Sequence, residues 1–243
     1  MKLYVYCIVD NLDTWNSTEP GVAGASVRLI KIDEIAVLVS DCEIDNFSAT
    51  RENALAHAVV VRNAFVEETP LPFRFGTLIS EQQLRNYVQS HKQAIENKLA
   101  HVRGCAEMNV RVTWGRATDE VAHTPESKHA APHGPGTAFL ADKRREILGD
   151  ERSTAQAAEL SDLLREYVGS FIRDEQISLR PSETVILAKV DHLVERPTIQ
   201  NYREQMAKGV RERPELHFLV SGPWPPYSFA NIELEFPMQF GVT

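Results

Sequence analysis

The chain opens on an unbroken apolar run, "LYVYCIV" at 3–9, too short for a helix and rich in β-branched and aromatic residues, so it predicts a strand. A polar loop follows, then "SVRLIKI" and "IAVLVSDC" on either side of Asp33-Glu34, which predict a hairpin. The spacing over 51–67 predicts an amphipathic helix with Leu55, Ala58, Val59, Arg62, Phe65 and Val66 on one stripe, capped by Ser48 or Thr50. "TPLPFRFGTLIS" is read as an extended entry into a short strand, because Pro70 and Pro72 exclude a helix. A second helix is predicted over 81–102, with Leu84, Tyr87, Val88, Ile95, Leu99 and Val102 inward and Gly104 as its C-cap. "CAEMNVRVTWG" alternates as a strand does. Seven elements in the order β-β-β-α-β-α-β predict one mostly antiparallel sheet over residues 1–115.

Residues 116–136 break the pattern. They are polar and rich in Pro, Gly and His, as a linker or exposed loop is. A second α+β domain is expected over 137–243: helices near 137–148 and 155–173, strands at "ISLRP" and "TVILAKVDHLV", a helix from Pro197 to about 212, and a last strand "LHFLVSG". No fixed-period repeat is present.

Composition narrows the function classes. The 243 residues are enough for one large or two ordinary domains, at roughly 100–200 residues each. A net charge of −8 argues against a general nucleic-acid or anionic-membrane surface. No stretch approaches the ~20 apolar residues of a membrane span, and the first ten residues lack a secretory core, so a cytoplasmic protein is expected. Cys7, Cys42 and Cys105 are widely spaced without a CxxC pair and are read as reduced, packed thiols.

The chemical motifs fail in turn. GxSxG, GxxxxGK[ST], HExxH and GxGxxG are all absent. "HGPG" at 133–136 lacks the longer glycine pattern and a lysine at the right spacing, and reads as a loop-to-helix junction. His123, His129 and His133 lack metal-ligand spacing, whereas His57, His91 and His101 read as satisfied residues on helices. Glu67-Glu68 would point apart on a helix, and Cys105 has no visible base, so neither supports catalysis. No catalytic, metal-binding or cofactor-binding residue is assigned.

Two stretches exceed background. In "LPFRFGT", 71–77, strand alternation would set Arg74 opposite Phe73 and Phe75. Arg74 is then either a contact to a partner or a tie between sheet and helix. In "SGPWPPYSF", 221–229, Pro223, Pro225 and Pro226 have no N–H, so the segment is a stiff exit from the last strand. Trp224, Tyr227 and Phe229 are expected to pack within the protein.

These stretches, with "YVYCIV", "HAVVV", "RGCAEMNVRVTW" and "HGPGTAFL", occur in an order that closely resembles the gas vesicle accessory proteins GvpF/GvpL. Cys7 departs from that pattern, where glycine is common; 116–136 and the tail from 230 match no motif. The resemblance implies an α+β protein of two domains, an N-terminal ferredoxin-like one and a modified ferredoxin-like one after it. It implies a non-enzymatic role in vesicle assembly, without cofactor. It implies binding to the small, hydrophobic shell protein and to other accessory proteins, and for some members a place at the shell surface. Arg74, Phe75, Pro223, Trp224, Pro225, Pro226, Tyr227 and Phe229 carry the most specific part of the signature. Nothing in the sequence sets the oligomeric state.

Overall fold

The computed structural model describes residues 2–10, 12–43, 48–115, 155–181 and 185–230. His123, His129, His133, the "HGPG" junction, the 116–136 loop and the helix expected near 137–148 lie outside the described residues. Contacts divide the chain into two compact units. The first comprises the described residues of Met1–Met108, Leu193–Ile199 and Gly222–Thr243; the second, those of Asn109–His192 and Gln200–Ser221.

The first unit is built on β1 (Lys2–Asp10), β2 (Val27–Ile32), β3 (Ile35–Cys42), β4 (Leu71–Pro72) and β5 (Leu78–Ile79). Their order is β2-β3-β1-β4, with β5 also on β1, and every pairing is antiparallel. This is the strand order of a ferredoxin-like sheet. β1 is central and buried on both faces, which is why its sequence is continuously apolar instead of alternating. The β1–β3 register shifts between Val5 and Cys7. That irregularity inserts one residue into the period-two alternation, so Tyr6 and Cys7 both join the same cluster, while Leu3, Val5 and Ile8 join the other.

α1 (Arg51–Glu67) covers one face with His57, Val60, Val61 and Ala64 packed beside Tyr4, Tyr6 and Leu38. Its cap is Thr50, whose hydroxyl accepts from the Asn53 N–H at 3.2 Å. The other face holds α2 (Glu81–Ser90) and α3 (Lys92–Val102), whose Leu84, Tyr87, Val88, Ile95, Leu99 and Val102 are the inward residues the periodicity predicts. The single helix expected over 81–102 is broken at His91, which leaves helical geometry at φ −112°, ψ 16°. Its ring stacks on Tyr87 with centroids 4.5 Å apart. Gly104, at φ 71°, takes the left-handed position after α3.

β6 (Cys105–Gly115) differs from the expected arrangement. It pairs in a second, four-stranded sheet of order β7-β8-β6-β9, with β7 (Ile172–Pro181), β8 (Val185–Glu195) and β9 (His217–Trp224). Its alternation identifies a strand but not that strand's neighbours. In the second unit, residues 155–168 form α4 and Ile199–Glu212 form α5. The helix expected to reach 173 ends earlier, because 169–171 form a short turn and β7 begins at Ile172. β9 is an edge strand, the position a strand containing Pro223 requires.

Candidate functional site

"LPFRFGT" is a turn and not a continuing strand. β4 ends at Pro72; the Phe73 N–H donates to the Tyr6 carbonyl at 2.9 Å, and the chain then turns. The Thr77 N–H and hydroxyl both donate to the Arg74 carbonyl, at 3.2 and 2.7 Å. Gly76 sits at φ 89°, and its N–H donates to the Tyr4 hydroxyl at 3.0 Å. Phe73 and Phe75 therefore do not share a face: Phe73 lies in the cluster with α2 and α3, Phe75 against the cluster with α1. Arg74 is exposed at the tip. Among the described residues no hydrogen bond or ion pair engages its guanidinium, so the sheet-to-helix tie is not made there.

Arg196 makes such a tie. Its Nη2 donates to the Phe65 carbonyl at 2.6 Å and to Thr69 Oγ1 at 3.2 Å, and its guanidinium lies 4.0 Å over the Phe65 ring. Nothing in the sequence sets Arg196 apart from the other arginines; only the return of the chain into the first unit brings it to the end of α1.

His57, expected as a satisfied residue on its helix, is a core residue. It is 4 % exposed, its Nδ1 is 3.0 Å from the Tyr4 hydroxyl, and Tyr6 stacks on it at 5.6 Å. Burial pushes its pKa down to about 4, opposed by a hydrogen bond to the Phe73 backbone. The neutral ring accepts from Tyr4, and the Tyr4 oxygen accepts from Gly76, so α1, β1 and the "RFGT" turn share one polar chain.

The proline-aromatic segment departs from its expected packing. The Gly222–Pro223 peptide is cis, and Gly222 has φ 123°. A Cβ there would stand 2.7 Å from the Glu107 carbonyl oxygen, so only glycine fits. Pro225, Pro226 and Phe229 are buried, and Phe229 joins Leu71 and Phe73 in the core. The buried Glu107 carboxylate accepts from the Ser228 N–H at 2.6 Å and from its hydroxyl at 3.1 Å. Trp224 and Tyr227, expected inside, are 45 % and 40 % exposed. The lock is Phe229 with the Glu107–Ser228 pair. Burial around the Tyr227 hydroxyl, with Cys7 and Glu107 near, still pushes its pKa up to about 12. Both signature segments thus converge on β1 of the first unit.

The second unit carries a buried polar network that sequence reasoning missed. Ser161 Oγ donates to Glu175 Oε1 at 2.5 Å, Glu175 Oε2 is 3.0 Å from His192 Nε2, and His192 Nδ1 is 2.8 Å from the Tyr202 hydroxyl. Arg165 lies 3.2 Å from Glu175. Although burial opposes it, the bonds from His192 and Ser161 with the Arg165 charge hold the Glu175 pKa below its ordinary value. The order Ser–Glu–His–Tyr places the carboxylate between hydroxyl and imidazole, so the histidine does not activate the serine as a base in a nucleophilic triad does. The network braces α4, β7, β8 and α5.

The remaining feature is the outward face of α1. Leu55 is 56 % and Val66 71 % exposed, with Ala58 and Arg62 also exposed and Val59 half-buried between them. Apart from Phe65, which is half-buried under Arg196, this is the stripe that periodicity assigns to the core, and it faces the opposite way. Both sides of α1 are apolar, so spacing alone does not select the inner one.

Residues 2–231 match the family described as gas vesicle synthesis protein GvpL/GvpF. The chain belongs to that family. The GvpL/GvpF assignment makes it a gas vesicle accessory protein with a ferredoxin-like α+β fold. It is similar to gas vesicle protein L2 of Halobacterium salinarum, at 25 % identity over 93 % of this chain and 90 % of that one. Gas vesicle protein F1 of the same organism is also 25 % identical, over 99 % and 98 %. The crystal structure of GvpF from Microcystis aeruginosa superposes with a TM-score of 0.74 at 15 % identity, covering 95 % of this chain and 99 % of that one, a likeness of fold. No helix among the described residues is long and apolar enough to cross a membrane.

Proposed function

We propose that this chain acts by binding and not by chemistry. It holds the small, hydrophobic gas vesicle shell protein, together with other accessory proteins, while vesicles form. It does so as a chaperone-like carrier in the cytoplasm or as a minor component at the shell surface. The observation that carries this reading is the outward apolar stripe of α1, Leu55, Ala58, Val59 and Val66. A solvated apolar stripe on an otherwise packed helix costs solubility, and such faces mark sites that receive an apolar partner. A shell subunit that is largely apolar needs such a face until it joins the wall, and a net charge of −8 keeps the complex in solution. Exposed Arg74, Trp224 and Tyr227 are of the residue types that anchor protein contacts, and are assigned to the accessory partners.

The test is affinity capture of tagged shell protein co-expressed with the full chain. Leu55→Asp combined with Val66→Asp is expected to lower capture about tenfold, equivalent to about 1.4 kcal/mol, at an unchanged melting temperature. Undiminished capture by the folded variant would remove α1 from the contact. Absence of capture by the wild-type chain, under conditions that support vesicle formation, would sink the shell-binding role. Pairwise captures among the accessory proteins would then test the scaffold role that is left.

A further inference from the structure

The outward face of α1 is also complementary to itself. Glu52, Leu55, Val59, Arg62 and Val66 follow one another at intervals of three, four, three and four residues, the rhythm of a coiled-coil seam. Glu52, Leu55 and Arg62 are exposed, and among the described residues no hydrogen bond or ion pair holds Glu52 or Arg62. Exposed Ala58 flanks the seam and leaves room for a second helix to approach closely.

Charge selects how two such helices would meet. In a parallel pair each residue faces its own copy, so Glu52 meets Glu52 of the partner subunit and Arg62 meets Arg62 of the partner subunit. Like charges facing each other oppose that pairing. In an antiparallel pair centred at the level of residue 57, Glu52 faces Arg62 of the partner subunit and Leu55 faces Val59 of the partner subunit. The two-fold axis repeats both contacts, giving four layers, apolar in the middle and oppositely charged at each end. This self-complementarity is what an isologous interface requires, and a charged rim around an apolar centre is the usual division of an interface.

We propose that a second copy of this chain docks on α1 in this antiparallel, two-fold pair. The pair covers the apolar stripe when no client is present; that role rests on the shell-binding reading, whereas the pair itself does not. One helix pair buries less than the ~1,200 Å² of a standard stable interface, so the association is weak, reversible and open to displacement.

Sedimentation of the purified full chain alone, from about 5 to about 500 µM, is expected to show a reversible rise from monomer toward dimer, as a small interface does. Glu52→Arg or Arg62→Glu alone is expected to weaken the pair about tenfold, and the two together to restore it to within about threefold. Val66→Asp lies outside the four layers and should leave self-association within about threefold while lowering shell-protein capture. A monomer mass at every concentration, or a double reversal no better than either single one, overturns the pair. The sedimentation measurements contain no shell protein, so they stand or fall apart from the function proposed above. Adding shell protein to the dimer tests the covering role: release of monomer bound to shell protein supports it, and shell protein bound to an intact pair overturns it.

Discussion

The charge state of His57 is decided by the fold. Its imidazole is neutral in the core because burial disfavours the cation, and its folded pKa of about 4 lies below the ordinary 6.5. A group whose folded pKa is depressed stabilises the protein fully above the unfolded value, and that contribution fades as pH falls through the folded value. Between pH 6.5 and 4 the chain is therefore expected to lose roughly 3 kcal/mol through this residue. Denaturant unfolding at pH 7.5 and at pH 4 checks it: His57→Gln should lose that much less than wild type. An equal loss in both would assign the acid sensitivity to other groups. His57 illustrates a limit of residue-level reading. In sequence it is one of three helical histidines, His57, His91 and His101, and only the first is buried against Tyr4 and Tyr6. Arg74 and Arg196 give the converse case, the arginine in a conspicuous motif being exposed and the inconspicuous one making the tie.

At the scale of elements, local chemistry identifies where structure starts and stops. Thr50 caps α1, Ser80 with Gln83 forms a capping box at α2, and Gly104 stands just past α3. Each is a hydrogen bond or a φ preference within a few residues, so each is legible along the chain. The proline-aromatic exit was legible as a rigid segment for the same reason. Its packing was not, because an aromatic following a strand is buried only if a core stands opposite it. Phe229 meets one and Trp224 does not. Phe229→Ala is expected to cost about 3–5 kcal/mol, and Trp224→Ala about 1 kcal/mol, by denaturant unfolding. The reverse ranking would place Trp224 in the core and Phe229 outside it.

At the scale of the whole molecule, the first unit draws on three separated stretches of chain. Leu193, Phe229 and Ala230 lie in its core, and Arg196 binds the end of α1. A fragment of residues 1–115 is therefore expected to lack a cooperative unfolding transition, because it loses the Phe229 contribution of about 3–5 kcal/mol together with the Arg196 tie. A sharp transition in that fragment, followed by circular dichroism, would show residues 1–115 to be an independent domain.

Along the chain alone, the α+β class and most element boundaries were legible, since turns, caps, prolines and periodicity act within a few residues, while the ordered motifs such as "LPFRFGT" and "GPWPPYSF" carried the resemblance to the family. Only the tertiary structure decided which side of α1 turns inward, which sheet receives β6, and which of three aromatics is the lock. These outcomes depend on residues distant in sequence competing for the same buried surface. For α1 both sides were apolar, and the sheet took the one carrying His57, Val60, Val61 and Ala64, whose small and flat side chains fit against Tyr4 and Tyr6.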